Sequence, residues 1–132
     1  KAFDLIRTGR AVGAKEAVAW GWAAGEPVAD VVAGAKELIG KHLEGSVKLA
    51  PVNPEPIELP DELPSSDIGH HSLAIDAIVV DVLREGLCKP LAEGLAMEAK
   101  GFGRCKKTVD IDIGIMNFQQ NGPRVPAAFL HE

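Results

Sequence analysis

The stretch Leu73-Ala74-Ile75-Asp76-Ala77-Ile78-Val79-Val80-Asp81-Val82-Leu83 decides how this chain is read. Ile75, Ile78, Val79, Val82 and Leu83 recur at helical spacing, and Leu73 and Val80 extend the apolar surface nearly all round. A helix apolar on several sides is buried in a core or an interface. The sequence predicts Ser66 or Asp67 as its cap and Gly86 as its stop. Beyond it, Pro90 suits the first position of a second helix, whose Leu91, Leu95, Ala99 and Phe102 mark a face ending near Gly103. Thr108 caps a third helix, with Ile111, Ile115 and Phe118 on one side and Gly122-Pro123 as its end.

Toward the N-terminus the texture changes. Pro51, Pro54, Pro56, Pro60 and Pro64 fall within residues 50–66, interspersed with Glu55, Glu58, Asp61 and Glu62. Proline removes backbone donors and fixes φ, so this stretch reads as an extended linker. The other reading, a proline-rich ligand for a partner groove, lacks the basic residue such ligands carry. Before the linker, three short helices are expected over residues 2–7, 14–20 and about 31–43. Gly9, Gly21 and Gly45 act as stops, and Asp30 caps the third, whose stripe is Val31, Ala35, Leu38 and Ile39. Gly25 and Pro27 confine any strand over residues 23–28 to a short edge piece. The expected fold is therefore mainly α, divided as residues 1–45, a linker at 46–65 and a helical domain at 66–132.

The chain has 132 residues, 46% hydrophobic and 25% charged, with a net charge of −5. That length suits one domain or a piece of a larger one. A mildly acidic chain speaks against a nucleic-acid partner. No apolar run approaches the roughly 20 residues of a membrane-spanning helix, so no membrane partner is expected. Two cysteines, Cys88 and Cys105, read as free thiols of a reducing, cytoplasmic setting. The opening Lys1-Ala2-Phe3, already inside an amphipathic pattern, is read as the start of a tail cut from a longer protein.

Most constellations that carry chemistry fail on spacing. The cysteines are not paired as CxxC, and the adjacent His70 and His71 lack the i, i+4 spacing of helical metal pairs, so no metal is expected. They read as a solvent-near pair at a helix start, with His131 and Glu132 at the chain end. Gly101-Phe102-Gly103 is too short for a dinucleotide fingerprint. Glu98 reads as a helix-edge carboxylate pairing with Lys100 or Arg104, with no second acid or base in range. Asp110 and Asp112 read as first-turn residues favoured by the helix dipole. Trp20 and Trp22 read as packing anchors. No catalytic residue is assigned.

Leu5-Ile6-Arg7-Thr8-Gly9-Arg10-Ala11-Val12-Gly13-Ala14-Lys15-Glu16-Ala17-Val18-Ala19-Trp20-Gly21 resembles the LxxTGRxxxAxEAxxxG pattern of the crotonase superfamily, the enoyl-CoA hydratases and isomerases. Leu95-Ala96-Met97-Glu98-Ala99, Phe102, Thr108, Asp110, Gly114 and Phe118 resemble the C-terminal pattern of that family. Asn121-Gly122-Pro123 and Phe129 resemble its usual terminal residues. Trp22-Ala23 replaces the customary Leu-Val, Ile113 stands where Glu is frequent, and the proline-rich stretch is longer than the usual turn.

The resemblance implies the end of a crotonase core followed by a C-terminal helical domain that covers the active site and builds trimers, commonly stacked as hexamers. It places the oxyanion-hole donors and catalytic acids in a part of the parent preceding Lys1, so this chain alone is expected to be inactive. The substrate implied is an acyl-CoA thioester, with no resident cofactor. Phe102 would pack by the adenine of CoA; the basic position on the last helix is Asn121 here, and Arg124 is a substitute for it. For Phe102 the other reading is a core anchor, and for Arg124 a solvated tail charge. The competing reading of the whole chain is a free-standing helical binding or oligomerisation module without catalysis; an independent small enzyme lacks any acid–base or nucleophile constellation.

Overall fold

The computed structural model describes residues 1–130; His131 and Glu132 lie outside the described residues. Six helices and no strand are present among the described residues: α1 (Ala2–Thr8), α2 (Ala14–Ala19), α3 (Val31–Leu43), α4 (Leu73–Leu87), α5 (Leu91–Cys105) and α6 (Val109–Asn121). The mainly α expectation holds, and residues 23–28 are irregular backbone with bends and form no strand.

Local chemistry sets most helix ends. The Asp30 carboxylate accepts from the Ala33 amide at 2.9 Å and starts α3. The Thr108 hydroxyl accepts from the Ile111 amide at 3.3 Å and starts α6. Gly9 ends α1 at φ 62°, a left-handed conformation that a Cβ disfavours.

Two expectations about α4 need correction. Its cap is Ser72, whose hydroxyl accepts from the Ile75 amide at 3.2 Å, and not Ser66 or Asp67. The Ser66 hydroxyl is buried without a hydrogen-bond partner among the described residues. The Asp67 carboxylate instead serves its own turn, accepting from the Gly69 amide at 2.9 Å. Gly86 does not end α4 either. It lies in the last helical turn, buried, where the backbone of α5 approaches at Gly94. A Cβ on Gly94 would stand 2.8 Å from the Gly86 carbonyl oxygen. Further along, Gly101 leaves room for Val82. Pro90 caps α5 rather than occupying its first turn.

The chain forms two compact units. One comprises Lys1–Gly9 and the chain from Pro54, and so contains α1, α4, α5 and α6. The proline-rich stretch is irregular, as expected, but it is tied to this unit. The Ile57 amide donates to the Leu87 carbonyl at 2.7 Å, and the Leu91 amide to the Pro54 carbonyl at 3.0 Å. The other unit, Arg10–Asn53, holds α2 and α3 and contains no buried residue. There Val28 packs over Gly34, while Val31, Val32, Ile39 and Leu43 stay exposed.

Large apolar side chains stay exposed in both units, Ile39 and Leu43 in one and Leu95, Phe102 and Phe118 in the other.

Candidate functional site

The α4–α5 pair meets through small residues, which turns the large apolar side chains of α5 outward. Gly94, Met97, Gly101 and Cys105 face α4 or are partly covered. Leu91, Leu95 and Phe102 are exposed, Phe102 at 64%. The face marked by Leu91, Leu95, Ala99 and Phe102 is therefore an exposed one. Glycine lets the backbones close on each other, and the bulky stripe is left on the far side.

Phe102 forms one wall of a cavity of about 360 Å³ with Ile6, Ile78, Val79, Val82, Leu83, Glu98, Gly101 and Cys105. The lining is apolar apart from the Glu98 carboxylate and the buried Cys105 thiol. Such a cavity binds an apolar group; it offers one carboxylate and no second acid–base partner. Glu98 does not hold Arg104, which instead pairs with Asp81 of α4 at 2.8 Å.

Arg124 lines a different cavity, of about 550 Å³, between the end of α1, the 67–71 turn, α6 and the segment that follows it. His70 and His71 line it too. They precede α4 rather than starting it, and the His71 Nδ1 lies 2.5 Å from the Ile68 carbonyl. Phe102 and Arg124 are thus not brought together in one cavity of the chain.

Two polar clusters escaped the sequence reading. Among the described residues, Asp110 is the one fully buried large side chain. Its carboxylate accepts from the Ser72 hydroxyl at 2.5 Å and from the Leu130 amide at 2.9 Å, so it ties the start of α4 and the C-terminal segment to α6. Its legible signal is position: Asp110, Gly114 and Phe118 recur every four residues, and the Phe129 ring lies beside Gly114. The second cluster is a two-pronged pair in which Arg7 Nε and Nη2 each reach an Asp76 oxygen at 2.8 Å. That hydrogen bonding, with the Asp76 charge, holds the Arg7 guanidinium above its ordinary range despite burial. Both side chains are nearly covered, and Arg7 also lies over the Phe3 ring.

No family model, curated protein or solved structure matches the chain. Among the described residues no group of three or more His, Cys, Asp or Glu side chains is placed to hold a metal ion. No helix among them is long and apolar enough to cross a membrane.

Proposed function

We propose that this chain is the C-terminal portion of a cytoplasmic enoyl-CoA hydratase-like enzyme acting on acyl-CoA thioesters. It supplies subunit contacts and active-site cover, and the groups that polarise the thioester and move protons belong to the rest of the parent. The observation that supports the reading is the exposure of large apolar side chains on α5 and α6. Helices with exposed Leu91, Leu95, Phe102, Ile115 and Phe118 need a second surface to cover them. The reading also rests on the 5–21 and 95–118 patterns. The first of these appears as a helix, a left-handed glycine stop and a second helix.

The test is enzymatic. The purified 132-residue chain is expected to leave a short enoyl-CoA unhydrated, because oxyanion donors and acids worth several kcal/mol of transition-state stabilisation lie outside it. Joined to the coding sequence upstream of Lys1, it is expected to support hydration or isomerisation. In that parent, Phe102→Ala should raise KM for acyl-CoA more than for a truncated pantetheine thioester. Turnover by the isolated chain, or an upstream sequence without an oxyanion-hole segment, contradicts the proposal. The second outcome favours a non-catalytic helical module.

A further inference from the structure

The segment that follows α6 runs back along that helix instead of leaving it. Gly122 turns the chain at a left-handed φ of 78°, and Pro126 lacks the amide donor that a further helix would need. Three contacts then fix the segment to one stripe of α6. The Asn117 amide nitrogen donates to the Val125 carbonyl at 2.7 Å. The Phe129 ring lies on Gly114, where a Cβ would stand 3.4 Å from it. The Leu130 amide donates to the Asp110 carboxylate at 2.9 Å. Asn117, Gly114 and Asp110 are three and four residues apart and so share a helix face, along which the segment runs antiparallel. Its burial alternates. Ala127 and Phe129 are half covered, whereas Pro126, Ala128 and Leu130 are exposed, the pattern of an extended chain lying on a surface.

The hold is light. None of residues 123–130 is buried, and the Asn117–Val125 hydrogen bond is open to water. Segments with little buried area and exposed hydrogen bonds open at low free energy while the core stays closed. The Phe129 ring also stands between two cavities. It lines the one of about 550 Å³ beside the 67–71 turn and another of about 390 Å³ against Ile75, Ile111 and Ile115. Gly114 and Phe118 line both as well. With the ring lifted, Gly114 has no side chain to keep the two apart.

We propose that residues 123–130 are a strap that opens locally, lifting Phe129 from Gly114 and joining the two cavities into one trough along α6 while the helices stay folded. The proposal rests on the contacts of α6 and not on the acyl-CoA reading, so either can fail without the other.

The test is amide hydrogen exchange of the full chain, followed residue by residue by NMR in water and in low urea. The Leu130 amide should exchange more slowly than in an unstructured peptide but at least about a hundredfold faster than the amides of α4. Its rate should not respond to urea, because local opening exposes little surface, whereas the α4 amides should exchange faster as urea rises. Phe129→Ala removes the ring contact and should speed Leu130 exchange severalfold with α4 unchanged. It also removes the partition, so the uncharged dye Nile red should bind severalfold more tightly than to the native chain. Gly114→Leu puts a side chain in the place of the ring and should leave Leu130 unprotected, with the helical signal in far-UV circular dichroism retained. If that variant does not fold, Phe129→Ala carries the test. Leu130 exchange at the α4 rate with the same urea dependence, no protection of Leu130 at all, or a Phe129→Ala chain with unchanged Leu130 exchange or unchanged dye binding would overturn the proposal.

Discussion

The unit of α1, α4, α5 and α6 buries polar groups and pairs them, whereas the unit of α2 and α3 buries no residue at all. In the first, Asp110 fastens Ser72 and Leu130, Arg7 grips Asp76, and α4 meets α5 backbone to backbone at Gly86 and Gly94. In the second, the interactions are local or exposed. They include the Asp30 cap, the Arg10–Glu16 pair at 3.2 Å, the Glu37–Lys41 pair and Arg10 over the Trp20 ring. Trp20 and Trp22 do meet edge to face, at 5.3 Å between centroids, yet Trp22 is half exposed. A cap or an exposed pair fixes a helix end. It does not remove apolar area from water, which is the larger stabilising quantity. The comparison teaches that the second unit depends more heavily on a surface outside itself.

Both tryptophans lie in the second unit, so their fluorescence reports it separately from helical circular dichroism. Asp110→Ala is expected to give the largest effect. It leaves the Ser72 hydroxyl and the Leu130 amide without their acceptor and should cost about 3 kcal/mol. In urea the dichroism transition should move while the tryptophan transition stays. If both move together, the two units unfold as one and the contrast fails.

Gly94→Val comes next, at about 2 kcal/mol, because the clash is with a backbone oxygen that has no rotamer to change. Gly103 is the control on the same helix. A Cβ there meets nothing within 4 Å, so Gly103→Ala should stabilise by up to about 1 kcal/mol. Equal responses at the two glycines would remove the close approach of α4 and α5 from the account.

These residues also show what the sequence made legible. Asp30, Thr108 and Gly9 could be placed because capping and left-handed stops are chemistry within a few residues. Ser72 could not be chosen over Ser66 and Asp67 in the same way. All three are capable caps, and the hydrogen bond from Ser72 to Asp110 joins residues 38 apart in sequence. Gly86 reads as a stop for the same reason: nothing nearby in sequence announces Gly94 as its neighbour. Periodicity found the apolar face of α5 but not what lies against it, so the sequence did not show that Phe102 is exposed. Of the two candidate binding residues, the sequence singled out both and could not show that they line separate cavities.

In the second unit, Asp30→Ala should cost about 1 kcal/mol and move the tryptophan transition alone. The smallest expected effect belongs to Glu37 and Lys41, paired at 2.6 Å on the surface of α3. Hydrogen bonding and charge from Lys41 hold the Glu37 carboxyl below its ordinary value, and Glu37 raises Lys41. A depressed carboxylate stabilises the folded state above its unfolded pKa, and that contribution is lost as pH falls through the folded value. Glu37→Gln should therefore leave the tryptophan transition slightly lower at neutral pH and unchanged in strong acid. A large loss at neutral pH would show that this exposed pair carries more of the second unit than its setting allows.

The exposed apolar faces bear most directly on the proposed subunit contacts, including contacts with further copies of this chain. Light scattering of the purified chain over a wide concentration range measures such contacts directly. The expected particle has a mass that is a multiple of 13.9 kDa and reverts toward one chain on dilution or when Ile78→Asp places a charge in the apolar cavity beside Phe102. A particle of 13.9 kDa at every concentration, still helical and stable, would contradict the proposed contacts.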